Sequence, residues 1–333
     1  MKKYLLKILL ISVLFVPFTV MAMLPGEGIV FDPTTGDYLI NYMSFKKQLM
    51  QSRFVPSTKI DPTLRSRFEN QDGLIRYSYS IHNGIKAKQP LIGFELESVS
   101  SIYSNAISPN GWEGRVIPLS DTTGSGLRIS YSFENLDDAK RNGLQISETQ
   151  PGFGFTSVDL PGIGEGRLTG FGDIGPGFVD EGPKDNEIRN QLNQIQLNDF
   201  VSRNAVIPTI TTPIPFDAAV LLESIRAQML TWTGMKLLDP AFATQLDRYM
   251  IAAANAYRSN QVKAGKEQIE SLRKLLEREH KYLNHDDEDN EDTTEHKTAT
   301  RFSIDRLAAR VLDFDLRYVL KRTEGEHKEG EHR

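Results

Sequence analysis

Two glutamates one residue apart, Glu95 and Glu97, are carboxylates that acid–base chemistry could use. With Asp121 or Asp159 they would supply the two carboxylates that a glycosidase uses to protonate a leaving oxygen and to activate or replace water. Both lie in Leu91-Ile-Gly-Phe-Glu-Leu-Glu97, where Ile92, Phe94 and Leu96 alternate with them. That alternation puts the glutamates on the solvent face of one strand, so a plain soluble surface competes with catalysis. Trp112, in Pro109-Asn-Gly-Trp112, is the candidate ligand-binding residue, either as an open carbohydrate platform or as an indole packed on the core. The stretch Pro161-Gly-Ile-Gly-Glu-Gly-Arg167 has the glycine content of a phosphate cradle. A cradle needs a strand before it and a helix N-terminus after it. Here Pro176 and Pro183 follow without helical periodicity, so a loop or bulged β edge is expected.

Metal chemistry has one place to go. Asp286, Asp287, Glu288, Asp289, Glu291, Asp292 and Glu295 face a single Lys297 between residues 284 and 300. Calcium favours clustered carboxylates, and Asp286, Asp287, Asp289 and Glu291 are the candidate ligands, with His285 and His296 beside them. An EF-hand loop needs glycine at its sixth position and glutamate at its twelfth, and this run has neither. A solvated loop is the default for such a charge run. The tail from Thr323, with His327 and His332, reads the same way. No His-Glu-x-x-His and no Gly-x-Ser-x-Gly occurs, and there is no cysteine. The last point excludes a thiol nucleophile, a cysteine zinc site and any disulfide framework. No catalytic residue is assigned, and calcium at the acidic run is the one cofactor to weigh.

These residues must be positioned by strands and then helices. Ile75, Tyr77, Tyr79 and Ile81 alternate with Arg76, Ser78 and Ser80, and His82-Asn-Gly84 marks a turn. Leu127, Ile129, Tyr131 and Phe133 repeat the pattern, as do Phe153 and Phe155, and an early strand fits residues 38–42. Strands with turns and no helical pattern between them predict an antiparallel β-sandwich, Ig-like in style, over residues 23–183. Residues 184–216 are polar and then proline-rich, which predicts an extended linker with room for one edge strand. From residue 217 the period becomes helical. Val220, Leu221, Ile225, Met229 and Trp232 lead to Gly234, and Asp239-Pro240 is an N-cap with proline at the first helical position. Stripes through Phe242 to Tyr257, Val262 to Leu283, and Ile304 to Tyr318 complete a small antiparallel bundle over 217–322. The fold class expected is therefore α+β by domains, with residues 323–333 a disordered tail.

Leu246, Ala253, Ala254, Ala256, Asn260, Ala264, Leu272 and Leu276 resemble the helical module called FIMAH, which recurs at the C-terminus of secreted and surface-associated bacterial proteins. Leu312-Asp-Phe-Asp-Leu-Arg-Tyr-Val-Leu320 is similar to the flank that accompanies it, so the resemblance spans about residues 217–320. The chain departs from that module in Leu275-Leu276 and in its acidic insertion. Tyr77-Ser-Tyr-Ser-Ile-His-Asn83 and Pro151-Gly-Phe-Gly-Phe-Thr-Ser157 are similar in style to uncharacterised exported bacterial β-domains. The resemblance implies location and architecture and carries no activity.

The N-terminus carries the features of an export signal. Lys2, Lys3 and Lys7 precede an apolar run over residues 8–16, Pro17 breaks it, and Val20-Met-Ala22 offers a cleavage site. Residues 1–22 thus read as a signal peptide, with no membrane span in the mature chain. The formal charge of −5 becomes about −8 once those three lysines are removed, which argues against nucleic acid. The reading that results is a periplasmic or extracellular, non-catalytic binding or surface-associated protein whose partner is an envelope or extracellular protein or polymer. The alternatives are a secreted carbohydrate hydrolase with a carboxylate pair, and an envelope protein that responds to divalent cations.

Overall fold

The computed structural model describes residues 26–71, 73–119, 126–133, 142–174, 186–280 and 303–330. The expected signal peptide and the acidic run 284–300 lie outside the described residues. The chain mixes helices with antiparallel sheets and divides into two units, residues 1–56 with 172–199 and residues 57–171 with 200–333. Among the described residues no helix is long and apolar enough to cross a membrane.

In the smaller unit β1 (Gly28–Asp32), β2 (Asp37–Met43), β3 (Leu49–Val55) and β11 (Asp173–Ile174) pair antiparallel in that order. The β1–β2 turn closes on Asp32, whose carboxylate accepts from Thr34 N and Thr35 Oγ1 and whose carbonyl accepts from Gly36 N. Helix α1 (Asn186–Leu197) lays Ile188 and Leu192 over Ile40, Tyr42 and Phe54. Buried Asp37 is held by Arg53 at 3.3 Å.

In the larger unit β4 (Pro62–Gln71), β5 (Leu74–Asn83) and β9 (Thr149–Ser157) form a three-stranded sheet. A five-stranded sheet runs β12 (Val201–Ile210), β10 (Leu160–Gly170), β6 (Leu91–Val99), β8 (Gly126–Ser132), β7 (Glu113–Leu119). The alternation read at Ile75–Ile81 buries Ile75, Tyr77, Tyr79 and Ile81 completely or nearly so. Aromatic rings join the two sheets: Phe94 lies 5.6 Å from Tyr79 and 5.8 Å from Phe153, and Tyr131 lies 5.2 Å from Phe153. Three tyrosines buried in these sheets each find an acceptor, as most buried hydroxyls do. Tyr77 Oη donates to Asp159 O (2.8 Å), Tyr79 Oη to Val206 O (2.6 Å) and Tyr131 Oη to Gly154 O (3.1 Å).

Among the described residues, α2 (Ala218–Gly234), α3 (Pro240–Arg258), α4 (Val262–Glu279) and α5 (Arg306–Gly330) belong to the same unit. Asp217 and Asp239 cap α2 and α3, each carboxylate accepting two backbone amides. Their buried stripes belong to one cluster with the sheets. Phe314 of α5 meets Phe68 of β4 edge-on at 5.2 Å, and Gln228 of α2 donates to Thr209 of β12.

Three expectations are corrected here. Residues 184–216 are not simply a linker: they hold α1 and β12, and Ala205, Val206, Ile207 and Ile210 are core residues. The glycine-rich stretch is no loop: it lies in β10, paired with β12 from Leu160 to Leu168 and with β6 from Gly166 to Gly170, with a register shift near each end. Its glycines admit neighbours: a Cβ at Gly164 would meet Ile207 at 2.3 Å, and one at Gly166 would meet Leu64 at 2.7 Å. The expected tail is helical as far as Gly330, with Thr323 buried and its hydroxyl donated to Leu320 O.

Gly154 offers a direct check on the sheet pairing. A Cβ there would stand 2.5 Å from the Tyr77 carbonyl oxygen, which is backbone and has no way to swing aside. Gly154→Ala should therefore cost about 1–3 kcal/mol, the usual range for overpacking. Urea denaturation should show a lower midpoint; an unchanged midpoint contradicts this packing.

Candidate functional site

Glu95 and Glu97 do sit on an outward face, that of the five-stranded sheet. Register sets Arg115 (β7), Ser130 (β8), Glu95 (β6), Arg167 (β10) and Ser202 (β12) in one row across it. Cross-strand neighbours in such rows are close enough to pair. Glu97 takes the centre of the network. Its Oε1 accepts from Arg167 Nη1 at 2.9 Å and lies 2.7 Å from Arg128 Nε, a charge contact outside hydrogen-bond angles. Arg167 also holds Glu165 at 2.9 Å and stacks over the ring of Phe200, just before β12, at 4.6 Å. Ser202 Oγ donates to Glu165, and Ser130 Oγ to Glu95 at 3.1 Å. Glu95 is looser, with Arg128 Nε 3.9 Å away. At the sheet's edge Arg115 donates to Glu113, which keeps that carboxyl below its usual range.

A glycosidase needs one carboxyl free to be protonated and another free to attack or to activate water. Glu97 instead has two guanidiniums on one oxygen. Asp159 is 2% exposed and engaged elsewhere, its Oδ2 accepting from Ser100 Oγ at 2.6 Å and its amide donating to Ser157 Oγ. Asp121 lies outside the described residues. Trp112 is 7% exposed, edge-on to Phe153 at 5.0 Å and tilted on Phe133 at 4.7 Å, so its ring is core and presents no open platform. The calcium candidates Asp286, Asp287, Asp289 and Glu291 fall outside the described residues. Among the described residues no group of three His, Cys, Asp or Glu is placed to hold a metal ion.

The helices carry a concavity that the sequence did not announce. An open groove of about 540 Å³ is lined by Phe216, Asp217, Tyr257, Arg258, Asn260 and Thr323, among others. Its polar groups are largely committed: Asp217 caps α2, and Arg258 holds Glu223 and Asn255. Arg322 stacks on the Phe216 ring at 4.9 Å. No known protein family, curated protein or solved structure matches the chain.

The two glutamates should respond differently to neutralisation. Glu97 is 13% exposed at its side chain and separates two guanidiniums, so Glu97→Gln leaves those charges facing each other. We expect it to cost about 1–2 kcal/mol. Glu95→Gln can still accept from Ser130 and loses only a 3.9 Å charge contact, so it should fall within about 0.5 kcal/mol of the parent. Equal costs in chemical denaturation would mean that Glu97 does not organise the face.

Proposed function

We propose that this chain is an exported, non-catalytic binding protein that engages an extracytoplasmic protein or polymer through the outer face of its five-stranded sheet. In this reading the facing sheets are an Ig-like β-sandwich, and the FIMAH-like helices are a bundle that braces it. One observation carries the proposal: Glu95, Glu97, Glu165, Arg128 and Arg167 form an ordered ladder in which the central carboxylate is committed to arginine. Committed carboxylates make poor acids and bases, because catalysis needs a group free to gain and lose a proton. Fixed rows of donors and acceptors at strand spacing suit an extended ligand, whose own groups repeat along its length. Arg167 adds an aromatic neighbour in Phe200 and a planar donor fork, the combination that recurs where binding energy concentrates.

Titrating the purified protein with neutral, anionic and cationic oligosaccharides, while assaying new reducing ends, tests the reading. Binding of one class without cleavage is expected, weakened at least tenfold, or about 1.4 kcal/mol, by Arg167→Ala. Release of reducing ends would favour a hydrolase, and binding indifferent to Arg167→Ala would move the ligand off this face.

A further inference from the structure

Two aspartates on α5 have opposite fates. Asp313 accepts from Arg273 of α4 at 2.8 Å and from Arg317, one turn on, at 2.6 Å. Asp315 is 1% exposed, and neither carboxylate oxygen has a hydrogen-bond partner among the described residues. It occupies the apolar stripe Val311, Leu312, Leu316, Val319, which is wholly buried. A lone ionised carboxylate in such surroundings costs several kcal/mol, so the group holds its proton instead.

The charged groups around it offer no relief. Tyr77 of β5 couples electrostatically to Asp315, as to Asp159, but it donates its hydroxyl to Asp159 O. On α4, Arg273 is taken by Asp313 and Glu270, and Lys266 by Glu324. On α2, Glu223 pairs with Arg258, and Arg226 with Asp247 of α3. Glu165 and Arg167 of β10 belong to the outer ladder, and Arg65, Arg67 and Glu69 of β4 are exposed. On α5 itself, Arg310 lies over Phe68 and Arg317 holds Asp313.

We propose that α5 is a proton-dependent latch, docked on the rest of its unit while Asp315 is uncharged and released as Asp315 ionises. Undocking lets the Asp315 O–H bond break with its proton passing to water. Burial raises the folded carboxyl well above its ordinary 3.8. The sign follows from linkage: docking is fully supported below the ordinary value and is lost as pH rises toward the raised one. Across that window each pH unit multiplies the undocked-to-docked ratio by up to about ten. Ion pairs with a lowered carboxyl have the opposite slope, so the two contributions separate by sign.

Amide hydrogen exchange across residues 307–322, corrected for the intrinsic pH dependence of exchange, reads the opening of α5 directly. Between pH 5 and 8 the parent should open progressively more, while α3 serves as the internal reference. Asp315→Asn removes the titration and should flatten that rise. Should the amide fold poorly, Asp315→Leu fills the same site without charge and should be flat as well. A parent that opens no more at pH 8 than at pH 5 overturns the proposal, as does an uncharged variant that keeps the parent's slope.

Discussion

Val206 has a peptide group that turns away from β10, and what happens to it governs the larger unit. β12 ends its sheet, so half of its backbone donors and acceptors have no strand to meet. Ser66 of β4 accepts from Val206 N at 3.1 Å, and Tyr79 of β5 donates to Val206 O at 2.6 Å. A third link runs from Arg203 Nε to Pro62 O. Side chains of one sheet thereby complete the edge of the other, where an unpaired edge would otherwise invite a foreign strand. Without cysteine, this stitching and the aromatic layer beside it take the place of covalent staples. Burial pushes the hydroxyls of Tyr77, Tyr79 and Tyr131 upward in pKa, so they remain donors at any ordinary pH.

The same edge explains why the helices share the core of the sheets. Thr209, near the end of β12, accepts from Gln228 of α2, and the glycines of β10 leave room for that side chain and for Ile207. A Cβ at Gly162 would collide with Gln228, so the helix can lie closer than an ordinary strand surface allows. Packing at that distance joins two layers into one apolar cluster running from Ile60 to Leu320.

What the sequence made legible was local. Period-two alternation located β5, β6 and β8, and Asp239-Pro240 located the start of α3, because each signal lies within a few residues. β10 was hidden because glycine carries no side chain to alternate; its apolar partners come from Leu64, Phe94 and Ile207. β12 was half legible: the proline-rich stretch left room for an edge strand, and Pro208 suits a sheet's terminal strand because its missing N–H need meet no neighbour. The outward aim of Glu95 and Glu97 was readable, whereas their partners were not: Arg128 and Arg167 arrive from other strands through a topology that no local pattern encodes. Trp112 could be read either as core or as platform, and only the positions of Phe133 and Phe153 decide between them.

Asp315 was legible in principle. It stands four residues after Val311 and three after Leu312, squarely on the stripe that buries α5, so helical spacing alone marks it as a polar residue in an apolar row. Asp313, two residues earlier and about 200° around the helix, points to α4 and its arginine. Two like residues on one turn thus meet opposite dielectric surroundings, one neutralised by cations and the other by its own proton. A leucine at 315 would pack as well and bind no proton. Retaining a carboxyl there trades stability at neutral pH for a response to pH, and that response is carried by the helix that closes the unit.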